Sequence, residues 1–595
     1  MKKKNEQLHL LREKMQAENI QACIIPTTDP HISEYTPEHW KIRAWLSGFT
    51  GSAGTLVVTG DEAGLWTDSR YFLQAGMELD GSGITLFKAG LPETPDMKDW
   101  LAEKLPAASC VAFDGEVFAA SEARALLFFF AKKKISVRTD FSPFDSIWRD
   151  RPVVPENPIF VLPETFSGKS TREKIHEVLD AIREKEASYT ILASLDTIAW
   201  LFNIRGRDIA YNPVYLAFSV VSEKETVLFI NPKKLTEDVV EYLHGQGVVL
   251  ADYAKFYTYL SRIPSGTSVL ITPSKINYKI DSSIPANCSV VETDIHPADA
   301  LKAVKNETEI QGIRSAMRKD GVALVRFLIW LEENLETRRC FRELDVSDRL
   351  HLCREEQDFF FGESFETISA YGPHGAIVHY GATKESNAEI LQEGILLLDS
   401  GGQYFDGTTD ITRSISCGAV SPEMKKDYTN VLKGHIQLAK ARFPVGTIGI
   451  QLDILARQFL WQNCDNYLHG TGHGIGHFLN VHEGPQSIRM NYNPVVLKPG
   501  MVTSNEPGIY RAGKYGIRIE NLILTIKDRD SEFGEFYCFE TLTLCPIDTN
   551  LIEISLLASD EMDWLNAYHQ RVYNELSPFL NEKEKNWLKR KCKKM

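Results

Sequence analysis

ILLLDSGGQYFDGTTDITR at 395–413 and MVTSNEPGIYRAGKYGIRIENLIL at 501–524 each read as a strand turned back on itself, with a carboxylate on either arm. Ile395 to Leu398 is a continuous apolar run, which reads as a buried strand ending on Asp399. Gly401, Gly402 and Gly407 supply turn chemistry. Thr408 to Ile415 reads as the returning strand, with Asp410, Thr412 and Ser414 on one face. A hairpin turning near Tyr404 sets Asp399 and Asp410 across from each other on antiparallel neighbours. Two facing carboxylates repel unless a proton or a cation lies between them. In the second stretch Met501 to Asn505 leads into Glu506, and Pro507-Gly508 with Gly513–Gly516 turn the chain. Ile517 to Leu524 returns, with Arg518, Glu520 and Leu522 on one face and Ile517, Ile519 and Ile523 on the other.

His473, in HGTGHGIGHFLNVHEGP (469–485), completes the set. Four carboxylates and one imidazole carry about four negative charges, which two divalent cations would neutralise. Oxygen donors with a single nitrogen suit Mn²⁺ or Co²⁺ better than a zinc-finger-like site. Paired metals about 3.5–4 Å apart activate a bridging water and polarise a carbonyl in hydrolases. Taken singly, an Asp before Gly-Gly is commonly a turn residue and a Glu on a half-exposed strand is commonly solvated. Five such residues, each after an apolar strand, point instead to a two-metal hydrolase. His477 stands four residues after His473, a spacing that suits two ligands on a helix. Gly472, Gly474 and Gly476 argue against a helix there, so His477 reads as a non-ligand.

The set resembles the metal-dependent pita-bread peptidases, which include methionine aminopeptidase, prolidase, creatinase and aminopeptidase P. The chain is most similar to the long, cytosolic-type aminopeptidase P (Xaa-Pro aminopeptidase) family of M24 peptidases. The residues that carry the resemblance are GPHGAIVHY (372–380), DSGGQYFDGTTDITR (399–413), YLHGTGHGIGHFLNVHEGP (467–485), NEPGIY (505–510) and GIRIEN (516–521). It extends to SGFTGSAGTLVVT (47–59) and WTDSRYFLQA (66–75). The resemblance implies Asp399, Asp410, His473, Glu506 and Glu520 as ligands of two divalent ions, Mn²⁺ first, with Co²⁺ or Zn²⁺ as alternatives. It makes Glu506 both ligand and general base, and sets His379, His469 and His482 on the substrate side. Arg518, two residues before Glu520 on the same face, would offset carboxylate charge, and Tyr510 would donate a hydrogen bond nearby. Arg70 matches a peptide-binding position of the family, against the plainer reading of a surface ion pair.

The activity implied is a metallo-aminopeptidase that releases the first residue of peptides with proline second. Proline dipeptidase (prolidase) is the alternative within the class, and chain-length preference on Xaa-Pro peptides separates the two. A non-catalytic pita-bread binding module is the alternative outside it. Such modules have typically lost metal ligands, and all five stand here. The resemblance also implies a homodimer.

Bulk properties agree with a soluble cytoplasmic enzyme. At 595 residues the chain exceeds one core, given about 100–200 residues per domain. A net charge of −14 argues against a nucleic-acid partner, whose footprint would be basic. The basic tail KEKNWLKRKCKKM reads as a solvated helix end. Ten cysteines form no C-x-x-C pair, which suits free, mostly buried thiols in a reducing compartment. MKKKNEQLHLLREKMQAENI is basic and then amphipathic, with Leu8, Leu11 and Met15 at helical spacing and no uninterrupted apolar signal. No segment reaches the ~18 apolar residues of a spanning helix, and LLFFFA (126–131) is a buried element at most. No membrane partner is expected.

The expected architecture is α/β followed by α+β: two related N-terminal creatinase-like α/β domains (1–155 and 156–301) and a C-terminal pita-bread metallopeptidase domain (302–595). The proline-rich loop PFDSIWRDRPVVPENP (143–158) marks the first boundary. HWKIRAWLSGFTG and LDTIAWLFNIRG, each with a Trp-Leu pair ahead of two strands, suggest a duplication at a period of about 155 residues. Asn306 with Glu309 resembles a capping box opening a long helix of the last domain.

Overall fold

Leu8, Leu11 and Met15 all face inward from the helix Glu6–Ala17, as their spacing requires. The computed structural model describes residues 6–595, so the basic start at Lys2–Lys4 lies outside the described residues. Ala22–Ile25, buried at every position, is an inner strand of a six-stranded sheet. Across that sheet the order is Thr85–Lys88, Ala63–Thr67, Thr55–Thr59, Ala22–Ile25, Cys110–Ala112 and Ser136–Arg138. A second sheet repeats it with Val248–Asp252, Thr226–Ile230, Ala217–Ser222, Tyr189–Leu192, Ser268–Ile271 and Ser289–Glu292.

In both sheets the earliest strand lies antiparallel to the second and parallel to the fifth, and the outer pairs are parallel. The helices Ile42–Ser47 and Leu195–Leu201, which carry the two Trp-Leu pairs, each follow the first strand. The suspected duplication therefore has a matching topology. Met1–Leu162 with Lys169–Asp299 form one compact unit, and Pro163–Gly168 with Ala300–Met595 a second. In the first unit, 143–158 holds one short helix, Phe144–Ile147, and is otherwise irregular.

LLFFFA is less buried than its composition suggests. It lies on the helix Ala120–Lys132, where Leu126 and Phe130 face the core and Phe128 is 66% exposed. The cysteines also depart from expectation. All ten are free, but only Cys23, Cys353, Cys417 and Cys545 are buried, and Cys340 and Cys464 are exposed.

The second unit opens with the helix Glu307–Glu336, started by the Asn306–Glu309 capping box. Helices Pro422–Ala439, Ile450–Trp461 and Ser559–Leu576 follow in the chain. Tyr428, Val431 and Leu432 of the first and Leu565 and Val572 of the last pack in one cluster with Ile517 and Ile519. The basic tail departs from a purely solvated end: its helix, Glu582–Lys591, buries Trp587 and Leu588 in the core, while Lys583 and Lys591 pair with Glu333 and Glu332.

Both ribbons form, but neither return arm is continuous. Ile395–Ser400 pairs antiparallel with Ile411–Ser416, setting Asp399 opposite Thr412. Beyond a gap at Gly401 and at Thr409–Asp410, the ribbon resumes as Gly402–Tyr404 and Gly407–Thr408 in another sheet. Likewise Val502–Asn505 pairs with Asn521–Leu524, and the ribbon resumes as Gly508–Arg511 and Tyr515–Arg518. Asp410, Glu506 and Glu520 all sit in these gaps.

Candidate metal centre

In the gap of the second ribbon two backbone amides bond outside their own ribbon. Past the Asn505–Asn521 pair, Glu506 N donates to Thr471 O (2.8 Å) and Glu520 N to Thr412 O (3.1 Å). The second bond ties one carboxylate-bearing ribbon directly to the other. His473 is on the short strand Gly472–Gly474, which joins the same sheet as Val502–Asn505. The flanking glycines are needed for that approach, because a Cβ at Gly472 would stand 2.0 Å from Ser504 O.

Asp410, His473 and Glu520 converge, with Glu506 against His473. Ligand atoms of Asp410, His473 and Glu520 lie within 4.8 Å of one another. His473 Nε2 is 3.3 Å from Glu506 Oε1 and 3.6 Å from Asp410 Oδ2. Asp399 is held through Oδ2 by the buried Arg518 guanidinium. Arg518 also donates to Thr412 Oγ1 (3.2 Å) and to the Tyr510 hydroxyl (2.7 Å), which lies 2.8 Å from His469 Nε2. Thr412 Oγ1 donates in turn to Glu520 Oε2 at 2.8 Å.

Burial sets the electrostatics. It pushes the Asp410 and Glu520 carboxyls well above the usual range, and the neighbouring carboxylates push the same way. Asp399 is raised by burial too, with Arg518 opposing. Burial also opposes charge on Glu506, but the His473 imidazole outweighs it and holds that carboxyl at about 2. His473 is raised to about 9 in return, the Glu506 carboxylate overcoming the cost of burial. His469 is lowered by burial to about 4 and is neutral at physiological pH. Without cations, the cluster thus balances its charge with protons.

Asp399 Oδ1 and Glu520 Oε1 are buried and accept no hydrogen bond. A bare buried carboxylate oxygen is costly, and two beside a third carboxylate and an imidazole fit divalent cations as the missing partners. The donor set matches the group.

His482 stands beside the cluster, its ring centroid 4.4 Å from that of His473. His379 follows Val378, whose carbonyl accepts from Arg518 at 3.4 Å. His477 is buried against the long helix, its Nε2 3.1 Å from where a Cβ on Gly312 would be, and takes no place among the carboxylates. Arg70 belongs to the first unit, where Asp68 grips it through Nε (2.9 Å) and Nη2 (2.8 Å), with Glu34 at 3.7 Å. Sequence reasoning missed Ser504, which donates to Glu506 Oε1 and accepts from His473 N, both at 3.0 Å. Its position two residues before Glu506 on the same strand face was the available signal.

Comparison with known proteins places this geometry. Residues 311–527 match metallopeptidase family M24, and 535–595 match the C-terminal region of peptidase M24. Residues 7–144 and 150–309 match two creatinase/prolidase N-terminal domains. A probable Xaa-Pro aminopeptidase P of Coprinopsis cinerea is 43% identical, over 98% of this chain and 97% of its own length. The chain belongs to the Xaa-Pro aminopeptidase P family. A second relative under that name, from Aspergillus clavatus, is 40% identical over 98% of this chain and 92% of its own. Among solved structures, the X-prolyl aminopeptidase of Caenorhabditis elegans, described as a cytosolic enzyme with a di-nuclear active site, superposes with a TM-score of 0.95. It is 36% identical, over 99% of both chains. The family's fold is shared more distantly by a Xaa-Pro dipeptidase of Bacillus anthracis, with a TM-score of 0.50 and 22% identity over 64% of this chain and 99% of that one.

Proposed function

We propose that the chain is a metal-dependent aminopeptidase that hydrolyses the bond between the first residue and a following proline in peptides. The observation that carries the reading is the meeting of Asp410, His473 and Glu520, with Glu506 against His473 and bare buried oxygens on Asp399 and Glu520, in a chain of this family. Those five residues would hold two divalent ions, Mn²⁺ before Co²⁺ or Zn²⁺, which supply Lewis acidity to an attacking water and to the scissile carbonyl. The water attacks the carbonyl carbon, and Glu506 takes its proton and passes it to the proline nitrogen as the C–N bond breaks. The products are the free first residue and the shortened peptide. Glu506 suits this role because Ser504 donates to its Oε1 and fixes it beside His473. His379 and His482 hold the reacting peptide and stabilise charge on its oxygen, while His469, neutral and paired with Tyr510, orders the same wall. Arg518 keeps Asp399 in place, and Arg70 is assigned to peptide binding by likeness to the family alone.

The chain divides for this purpose into 1–155, 156–301 and 302–595, supported by the two like-ordered sheets and by the family matches that break near 144–150 and 309–311. We infer a cytoplasmic homodimer by likeness to the family; no helix among the described residues is long and apolar enough to cross a membrane. The deciding assay follows Arg release from Arg-Pro, Arg-Pro-Pro and Arg-Ala-Ala after EDTA treatment, with each metal returned separately. Release from Arg-Pro-Pro alone, restored by Mn²⁺, is expected. Cleavage confined to Arg-Pro would make the chain a dipeptidase, and silence with every metal from a folded sample would make it a binding module.

A further inference from the structure

Glu343 opens the helix Glu343–Glu355 outside the metal cluster, and its side chain is fully buried. Four donors surround it. Oε1 accepts from Tyr371 N (2.8 Å) and His374 Nδ1 (2.8 Å), and Oε2 accepts from the Tyr380 hydroxyl (2.9 Å) and Ala388 N (2.9 Å). The peptide N–H of Glu343 itself donates to Ala388 O at 3.1 Å. Tyr371 ends the strand Ile368–Tyr371, so this carboxylate ties the loop that follows at both its ends and twice between. The tether matches the chemistry of the side chain. An ionised carboxylate is the acceptor-only group that satisfies four inward donors without leaving a buried proton unpaired.

The loop it holds carries His379. Both neighbours of that histidine are fixed: Val378 O accepts from Arg518, and Tyr380 OH donates to Glu343. On its other side the loop rests on the 508–518 hairpin, where Gly375 and Gly516 pack so closely that a Cβ on Gly516 would stand 1.7 Å from Gly375 O. We propose that Glu343 is a positioning residue that holds the 371–388 loop so that His379 is presented to the scissile peptide. The proposal rests on the reading of His379 as a substrate-side group. Glu343 bonds to none of the five candidate ligands; it acts through the loop that carries His379.

The test is a cycle of Glu343→Gln, His379→Ala and the double variant. Glutamine keeps the shape but turns an NH₂ group towards two of the four donors. With wild-type Mn²⁺ content, kcat/KM on Arg-Pro-Pro is expected to fall about 10- to 100-fold, the scale of a misplaced catalytic group. On the His379→Ala background the same substitution is expected to cost less than about twofold, since residues acting as a unit are not additive. A purely structural role would give the same factor on both backgrounds, and that result overturns the proposal. If Glu343→Gln fails to fold, Tyr380→Phe removes one of the four bonds and takes its place in the cycle, with the same two outcomes. Hydrogen exchange separates this inference from the proposed activity. Should the wild type cleave no peptide, the functional reading falls, and unchanged exchange at the Tyr371 and Ala388 amides in Glu343→Gln then overturns the tether as well.

Discussion

Thr412 stands between two charged groups, giving its hydroxyl proton to Glu520 and receiving the Arg518 Nε–H. It links Glu520, whose other oxygen is bare, to the guanidinium that secures Asp399. Groups that orient ligands from behind typically cost about 10–100-fold in metal affinity when lost. Thr412→Val, close in shape but without the hydroxyl, is expected to weaken Mn²⁺ binding by about that factor, read by titrating metal into the EDTA-stripped protein. Unchanged affinity would mean that Thr412 only fills space. At this scale the candidate ligands Asp399, Asp410, His473, Glu506 and Glu520 could be picked out by residue type beside strands and glycine turns. The groups behind them could not. Ser504 looks like any strand serine and Glu343 like any helix-opening acid until their partners are known.

Among the elements, the gaps in the two ribbons matter most. Alternation along 408–415 and 517–524 predicts unbroken strands, and in the second the break comes where Glu520 N turns to Thr412 O. Turn glycines were visible in the sequence, but not which of them faces backbone. Gly516→Ala would drive a Cβ into Gly375 O, so the 372–376 turn must shift. A cost of about 1–3 kcal/mol is expected, as for overpacking elsewhere, together with a fall in kcat/KM; an active variant with unchanged melting would contradict the packing. The strand Glu483–Ile488 begins on another such contact. Glu483, fully buried, pairs with Lys302 Nζ (3.1 Å) and with Lys305. Glu483→Gln leaves two buried ammonium groups against an amide, and about 3–5 kcal/mol of stability should be lost. Urea unfolding measures it, and a loss below 1 kcal/mol would show that water reaches the lysines.

Across the whole molecule, buried groups answer acid in opposite senses. His569, in the second, is held by burial at about 4, below its ordinary 6.5. As pH falls from 6.5 towards 4 the unfolded chain gains a proton that the folded chain refuses, which removes about 3 kcal/mol. Asp29, in the first unit, runs the other way. Burial raises it to about 6 from 3.8, so the folded chain takes the proton first and gains stability as pH falls through that window. His569→Gln keeps an acceptor for Ile547 N without titrating. It should flatten the acid dependence of the second unit's unfolding, and identical pH slopes in variant and wild type would rule the histidine out. By itself the sequence determined the family and the doubled N-terminal plan and named the candidate ligands, because residue type, strand period and glycine turns are local and survive in one dimension. The tertiary structure alone decided which oxygens are left bare, how the ribbons break and what holds His379. Those facts depend on hydrogen bonds such as Thr412 to Glu520, which join residues 108 positions apart and leave no pattern along the chain.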